Sequence, residues 1–240
     1  MDKFLIEGGV NLKGEIRVVG AKNAILPAMA AALLLKDKIS FSDVPQIIDI
    51  KMMAHLMRII GARVDHDNES LMIDGTNCSF YEAPYELVSK MRASIYVLGP
   101  LLARFGKALV SFPGGCAIGN RPVDLHLKAM ERLGAKIDIR KGYIIAECDK
   151  LKGNDIVFDK SSVGATINTL MAAVTAKGRT RIFNAATEPE IEFIIDLLNQ
   201  MGAKITGRNT TTLDIEGVED LHSCTVPMIP DRIEAGTFLI

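Results

Sequence analysis

The sequence predicts an α/β fold of three repeated helix–strand–helix–strand–strand units about a pseudo-threefold axis, with buried helices inside and sheets outside. Three observations predict it. A Gly-Ala pair recurs three times at the end of an amphipathic helix, at Gly61, Gly134 and Gly202, spaced 73 and 68 residues apart. Two short strands round a polar turn follow each pair, and an apolar helix stands upstream of each. Self-similarity at such a period is the signature of a repeated supersecondary unit. A helix that is apolar almost all round belongs inside.

Taken in order, residues 1–20 contain FLIEGGVNLKGEIRVVG, whose alternation predicts a short hairpin with no helix before it. The first unit opens near Lys22. AILPAMAAALLLKDKISFSDV (24–44) reads as an apolar helix, a basic turn and a strand, and LMRIIGARVDHDNESLMIDG (56–75) supplies the second helix end and two strands. The second unit repeats this as SIYVLGPLLARFGKALVSFPG (94–114) and AMERLGAKIDIRKGYIIAEC (129–148). The third repeats it as GATINTLMAAVTAKGRTRIFNA (164–185) and LLNQMGAKITGRNTTTLDIEG (197–217). Each marker glycine falls where a helix C-cap is expected, because it tolerates the left-handed backbone that stops a helix.

Beyond the third unit, Pro230-Asp231-Arg232 opens a new apolar run, IEAGTFLI, that looks like a fourth unit's first helix and ends after about two turns. The expectation is a sequence cut inside a second domain: 22–229 form a complete three-repeat domain, and 1–21 and 230–240 are remnants of another.

Composition limits the function classes. The 240 residues are 48% hydrophobic and 24% charged, with a net charge of -1, which describes an ordinary globular protein. No basic excess is present to grip nucleic acid, and without Trp and at 5% aromatic residues there is little to stack bases on. The start lacks the apolar core of a signal peptide. The longest apolar stretch, 24–35, is well short of the roughly 20 residues that span a bilayer. Cys78, Cys116, Cys148 and Cys224 lie far apart with no C-x-x-C pair, which argues against a zinc site or disulfide framework and for a reducing, cytoplasmic compartment.

Three symmetric units would bring the N-termini of their buried helices to one end of the domain. Those N-termini carry Lys22-Asn23, Arg92 and Lys160-Ser161-Ser162. Free N–H groups and a partial positive charge make helix N-termini anion sites, and the added cations make the surface convergent. A second signal is the loop FPGGCAIGNRP (112–122), longer than its counterparts in the other units and Gly-rich, hence a lid expected to close over substrate. Its Cys116 stands five residues from Arg121, and a guanidinium with free backbone N–H groups favours a reactive thiolate or a useful proton donor. Cys78, Cys148 and Cys224 read as structural. His55, His66, His126 and His222 show no metal-ligand spacing and are given no role. Neither a P-loop nor a G-x-G-x-x-G after a strand is present.

With these residues in hand, the sequence resembles a known family. AKNAILP (21–27), MRAS (91–94), PGGCAIGNRPVDLH (113–126), SSVGAT (161–166) and PDRIEAGTF (230–238) are similar to segments of UDP-N-acetylglucosamine 1-carboxyvinyltransferases, and the likeness runs end to end. The resemblance implies an inside-out α/β barrel with two similar three-unit domains and the active site between them. It implies transfer of the enolpyruvyl group of phosphoenolpyruvate to the 3-hydroxyl of UDP-N-acetylglucosamine, an early step of peptidoglycan precursor synthesis, with no metal or organic cofactor. It implies that Lys22 and Asn23 hold phosphoenolpyruvate, with Arg121 on its phosphate. Arg92, then Arg121, Pro122, Val123, Asp124 and Leu125, then Lys160, Ser161, Ser162 and Val163 would contact the nucleotide-sugar. Cys116 would be the general acid at the methylene carbon, able to form an adduct with the enolpyruvyl group. Two readings stay open for Asp231, a carboxylate supporting the reacting centre or an N-cap. The family's second domain supplies further arginines and a catalytic carboxylate, so these 240 residues alone are expected to be weak or inactive. The alternatives are a 5-enolpyruvylshikimate-3-phosphate synthase-like transferase, a non-catalytic nucleotide-sugar-binding module and an inert repeat scaffold.

Overall fold

A computed structural model describes residues 3–9, 11, 13–89, 91–113 and 123–240. The first unit consists of α1 (Lys22–Ala31), β1 (Lys38–Ser42), α2 (Ile48–Ile60), β2 (Arg63–Asp67) and β3 (Ser70–Asp74). The second opens with β4 (Glu82–Ala83) and a single turn, α3 (Tyr85–Val88). Its apolar helix starts as a 3-10 segment, Arg92–Val97, and runs on as α4 (Leu98–Phe105). Then come β5 (Lys107–Ser111), α5 (Asp124–Arg132), β6 (Lys136–Arg140) and β7 (Tyr143–Glu147). The third unit is β8 (Asp155–Val157), α6 (Val163–Ala173), β9 (Arg179–Phe183), α7 (Pro189–Gln200), β10 (Lys204–Thr206) and β11 (Thr212–Glu216). The chain continues through β12 (Thr225–Pro227) to α8 (Arg232–Leu239).

The three Gly-Ala pairs end their helices identically. The N–H of Gly61, Gly134 and Gly202 bonds the carbonyl three residues back, and that of Ala62, Ala135 and Ala203 the carbonyl five back, at 2.9–3.1 Å. All three glycines have φ near +100°, at 106°, 94° and 99°. This is the Schellman arrangement, and the alanine after each glycine is buried against the helix it closes.

The strands form three separate four-stranded sheets, ordered β12-β1-β3-β2, β4-β5-β7-β6 and β8-β9-β11-β10. They do not close into one barrel, which refines the expectation of an inside-out α/β barrel. Each sheet also has one strand more than the predicted unit. A two- or three-residue strand pairs parallel with the first strand of the unit, β4 with β5, β8 with β9 and β12 with β1. The first unit therefore receives its edge strand from the far end of the third, so 225–227 close the pseudo-threefold ring.

Helices α1, α4 and α6 are the buried ones; every residue of α6 from Ala165 to Ala173 is inaccessible. Helices α4 and α6 approach closely because residue 99 is glycine. A Cβ there would stand 2.5 Å from both the backbone oxygen and Oδ1 of Asn168. Arg104, at the end of α4, ties the first two units together. Its guanidinium donates to the carbonyls of Leu33 (3.0 Å), Leu35 (2.6 Å), Gly75 (2.8 Å) and Cys78 (3.4 Å).

The hairpin predicted within 1–20 does not form among the described residues, which hold no strand there. Phe4, Leu5, Ile6 and Ile16 are exposed, Phe4 at 98%, so that segment meets no apolar face to pack on, and a lone two-stranded hairpin is marginal in water. Helix α8 likewise buries no residue. The two segments meet where Gly20 bridges Pro230 and Asp231 donates its N–H to the Val19 carbonyl at 2.8 Å. No helix of the described residues is long and apolar enough to cross a membrane.

Candidate active site

The N-termini of the three buried helices converge on one cavity of about 500 Å³. Lys22 and Asn23 come from α1, Arg92 from the 3-10 start of α4, and Ser162, Val163 and Gly164 from α6. Two carboxylates share the walls, each paired with a cation. Lys22 Nζ lies 2.6 Å from Asp49 Oδ2, and Arg232 Nε lies 3.0 Å from Glu190 Oε1. The Glu190 side chain is only 4% exposed, so Arg232 is what makes its charge tolerable there.

Local sequence explains how these groups face inward. Ser162 caps α6, its Oγ accepting from Ala165 N–H at 3.3 Å. The N–H groups of Val163 and Gly164, in the first turn of α6, have no intrahelical acceptor and donate to no other group among the described residues. In α1, Pro27 lacks the N–H that would bond the Asn23 carbonyl, so that carbonyl too is spared for another partner. Helix α1 has no cap of its own; Asp231 supplies one from the start of α8. One Asp231 oxygen accepts from Lys22 N–H (3.2 Å), and the other from the N–H groups of Ile233 (2.8 Å) and Glu234 (3.2 Å). A single carboxylate thus holds two helix N-termini, which favours the N-cap reading of Asp231. A second concavity, of about 450 Å³, runs between Lys22-Asn23 and α8.

Of the residues expected from the sequence, Lys22, Asn23, Arg92, Ser162 and Val163 line the main cavity. Asp231 lines the neighbouring one. Lys160 and Ser161 are exposed just ahead of α6 and do not line the main cavity. Val123 and Leu125 are buried in the core at the start of α5, and Asp124 between them is exposed. Cys116, Arg121 and Pro122 lie outside the described residues. Burial pushes up the thiols of Cys78, Cys148 and Cys224, which suits the structural part read for them. Among the described residues, no group of three or more His, Cys, Asp or Glu is placed to hold a metal ion.

Sequence reasoning assigned no role to five polar cavity residues, Asp49, Tyr96, His126, Glu190 and Arg232. Each lies on an element far in sequence from its neighbours in space, so no local spacing marks them. Burial, and then the charge of Glu190, pushes the Tyr96 hydroxyl up to about 12, and it stays a donor. His126 is 7% exposed. Its Nδ1 lies 3.1 Å from Asn168 Nδ2. Burial, helped by the Arg92 charge and opposed by Asp124, lowers its pKa from 6.5 to about 4. The unfolded chain therefore takes up a proton that the folded chain refuses. Stability attributable to His126 is complete above the ordinary histidine range and falls as pH drops towards 4, by about 3 kcal/mol in all. Urea denaturation at a series of pH values checks this: the parent chain loses that stability between pH 6.5 and 4, and His126→Gln removes that part of the slope.

The chain and its fold are similar to those of known proteins. The family model described as EPSP synthase (3-phosphoshikimate 1-carboxyvinyltransferase) matches residues 6–240. Among curated relatives, the UDP-N-acetylglucosamine 1-carboxyvinyltransferase of Acinetobacter baylyi is 54% identical over 240 residues, covering 100% of this chain and 57% of the relative. Those of Desulforapulum autotrophicum and Chloroherpeton thalassium are 52% and 55% identical, with 100% of this chain and 58% and 56% of theirs covered. The chain thus spans a little over half the length of these relatives. Among solved structures, the enolpyruvyl transferase NikO from Streptomyces tendae superposes with a TM-score of 0.85 at 24% identity, over 98% of this chain and 56% of that one. An EPSP synthase from Acinetobacter baumannii gives 0.74 at 16% identity, over 94% and 52%. At those identities the two structures speak for the fold alone.

Proposed function

Since the chain belongs to the EPSP synthase (3-phosphoshikimate 1-carboxyvinyltransferase) family, we propose that it is part of a transferase moving the enolpyruvyl group of phosphoenolpyruvate to the 3-hydroxyl of UDP-N-acetylglucosamine. The observation that carries the choice of acceptor is identity above half, over the whole chain, to relatives bearing that activity in their names. On this reading the enzyme works in the cytoplasm on peptidoglycan precursors, its partners are these two small molecules, and the reaction uses no metal or organic cofactor. Residues 22–229 form one complete domain, and 1–21 with 230–240 belong to a second, whose apolar surfaces would cover the exposed side chains of α8. The 240 residues alone are weak or inactive.

The chemistry is an addition followed by an elimination. Cys116 donates a proton to C3 of phosphoenolpyruvate, C2 becomes electrophilic, and the sugar O3 attacks C2 as its own proton leaves to a base. Loss of a C3 proton and of phosphate from C2 then restores the double bond. Lys22, held by Asp49, and Asn23 sit beside the carboxylate and phosphate of phosphoenolpyruvate, with Arg121 on the phosphate. Arg92, Arg121, Pro122, Val123, Asp124, Leu125, Lys160, Ser161, Ser162 and Val163 hold the nucleotide-sugar. Cations and helix N-termini fixed before the reaction stabilise charge as it develops, with no reorganisation at that moment. In D2O the transient methyl group acquires deuterium. The full-length chain should therefore yield a carboxyvinyl nucleotide-sugar with deuterium in its methylene, read by mass spectrometry and proton NMR. A product methylene free of deuterium contradicts C3 protonation.

A further inference from the structure

We infer that Asn168 is a positioning residue that fixes His126 as the neutral Nε2–H tautomer, aiming an N–H donor at a phosphate oxygen bound on the first turn of α6. Its ligand, the diphosphate of UDP-N-acetylglucosamine, rests on the function proposed above; the tautomer does not. Asn168 lies on α6, fully buried, and all of its polar contacts are determined. Its Oδ1 accepts from Gly99 N–H at 2.7 Å, and its Nδ2 donates to the Ile95 carbonyl at 2.9 Å. Turning the amide over would set an oxygen against the Ile95 carbonyl and an N–H against the Gly99 N–H. The orientation is therefore forced, and the second Nδ2 hydrogen points at His126 Nδ1, 3.1 Å away. Nδ1 must accept, so the single ring proton sits on Nε2.

Nε2 has no hydrogen-bond partner among the described residues, although His126 is more than nine-tenths buried. It lies on the cavity wall against Gly164. A Cβ at Gly164 would stand 3.1 Å from both Nε2 and Cε1, so the absent side chain lets the ring edge reach the first turn of α6. There the N–H groups of Val163 and Gly164 lack acceptors among the described residues. A phosphate oxygen placed on them also meets the imidazole N–H. The charged groups facing the ring are Arg92 across the cavity, which disfavours a second proton, and Asp124 on its own helix, which favours one. The Asn168 donor at Nδ1 opposes a second proton as well, so the donor stays neutral wherever the enzyme is folded and active. Helix dipoles and lysines attract any anion, whereas one N–H at a fixed angle selects where its oxygen sits.

The test uses the full-length chain and three readouts. Nitrogen-15 NMR of labelled histidine should show His126 as the Nε2–H tautomer at pH 7, and Asn168→Ala should lose that single tautomer. Calorimetry should find UDP-N-acetylglucosamine bound roughly tenfold more weakly by His126→Asn, which keeps an acceptor for Asn168 but has no donor at the Nε2 position. His126→Gln, which restores that donor, should recover most of the affinity. In turnover, the asparagine variant should raise KM for the nucleotide-sugar with kcat little changed, as expected for lost uniform binding. An Nδ1–H or doubly protonated ring in the parent chain at pH 7 overturns the inference, even if Asn168→Ala fails to fold. Equal affinities for the asparagine variant and the parent overturn it too, with the functional reading intact. A parent chain that binds no UDP-N-acetylglucosamine overturns the functional reading and the ligand assigned to Nε2–H together.

Discussion

Cys116→Ala in the full-length chain lowers turnover by roughly 10²- to 10⁴-fold, the range typical for loss of a positioned general acid. The residue is a thiol in the Gly-rich segment 112–122, which precedes α5 in the sequence, and α5 carries His126 on the cavity wall. The C3 carbon of an enol phosphate is a weak base, so protonating it is the demanding part of the addition. Removing the proton donor leaves helix N-termini and cations to bind both substrates without activating either. Binding of UDP-N-acetylglucosamine should survive the substitution, because the residues assigned to it stay in place. Rapid-quench measurement of phosphate release, with calorimetry on the same variant, separates the two effects. Turnover within tenfold of the parent would remove Cys116 from the chemistry.

Arg104→Ala should destabilise the fold by roughly 3 kcal/mol, judged from hydrogen bonds to a charged donor. The side chain donates to four backbone carbonyls, three at 2.6–3.0 Å and the fourth at 3.4 Å, that belong to the end of the first unit's buried helix and the segment after β3. Helix ends leave carbonyls unpaired, and here one guanidinium from the next unit answers them. Burial lowers the Arg104 pKa, yet arginine stays charged under any condition where the protein folds. Arg104→Lys should recover only part of the loss, because one ammonium cannot span two pairs of acceptors with a planar fork. Denaturant titration of both variants and the parent checks the order. Equal stability of Arg104→Ala and the parent would show that water satisfies those carbonyls as well.

Much of this architecture was legible in the sequence because its signals are local and threefold. A Gly-Ala pair after an amphipathic helix specifies the Schellman ending by itself, and three copies specify a repeat. The convergence of Lys22, Arg92 and Ser162 on one cavity follows from that symmetry. The edge strands β4, β8 and β12 were not legible, since two or three residues show no alternation and their pairing is decided by a strand one helix away. For β12 the partner, β1, is nearly two hundred residues distant. The hairpin expected in 1–20 rested on alternation alone, and alternation forms a strand only where a face is covered. Glu190 drew no reading from the sequence, and His126 looked like an uninformative histidine. What singles them out is Arg232, 42 residues from Glu190, and Asn168, 42 residues from His126, and no spacing rule reaches so far. Asp231 was readable as a cap for its own helix, whereas its bond to Lys22 N–H, 209 residues away, was not.

The central claim is the identity of the acceptor, and phosphate release from phosphoenolpyruvate by the full-length chain tests it most directly. With UDP-N-acetylglucosamine as acceptor, release should be rapid and stoichiometric with the carboxyvinyl product; with shikimate 3-phosphate it should stay at the background of phosphoenolpyruvate alone. Release with shikimate 3-phosphate and none with the nucleotide-sugar would contradict the account, leaving the three-unit fold in place and the substrate wrong.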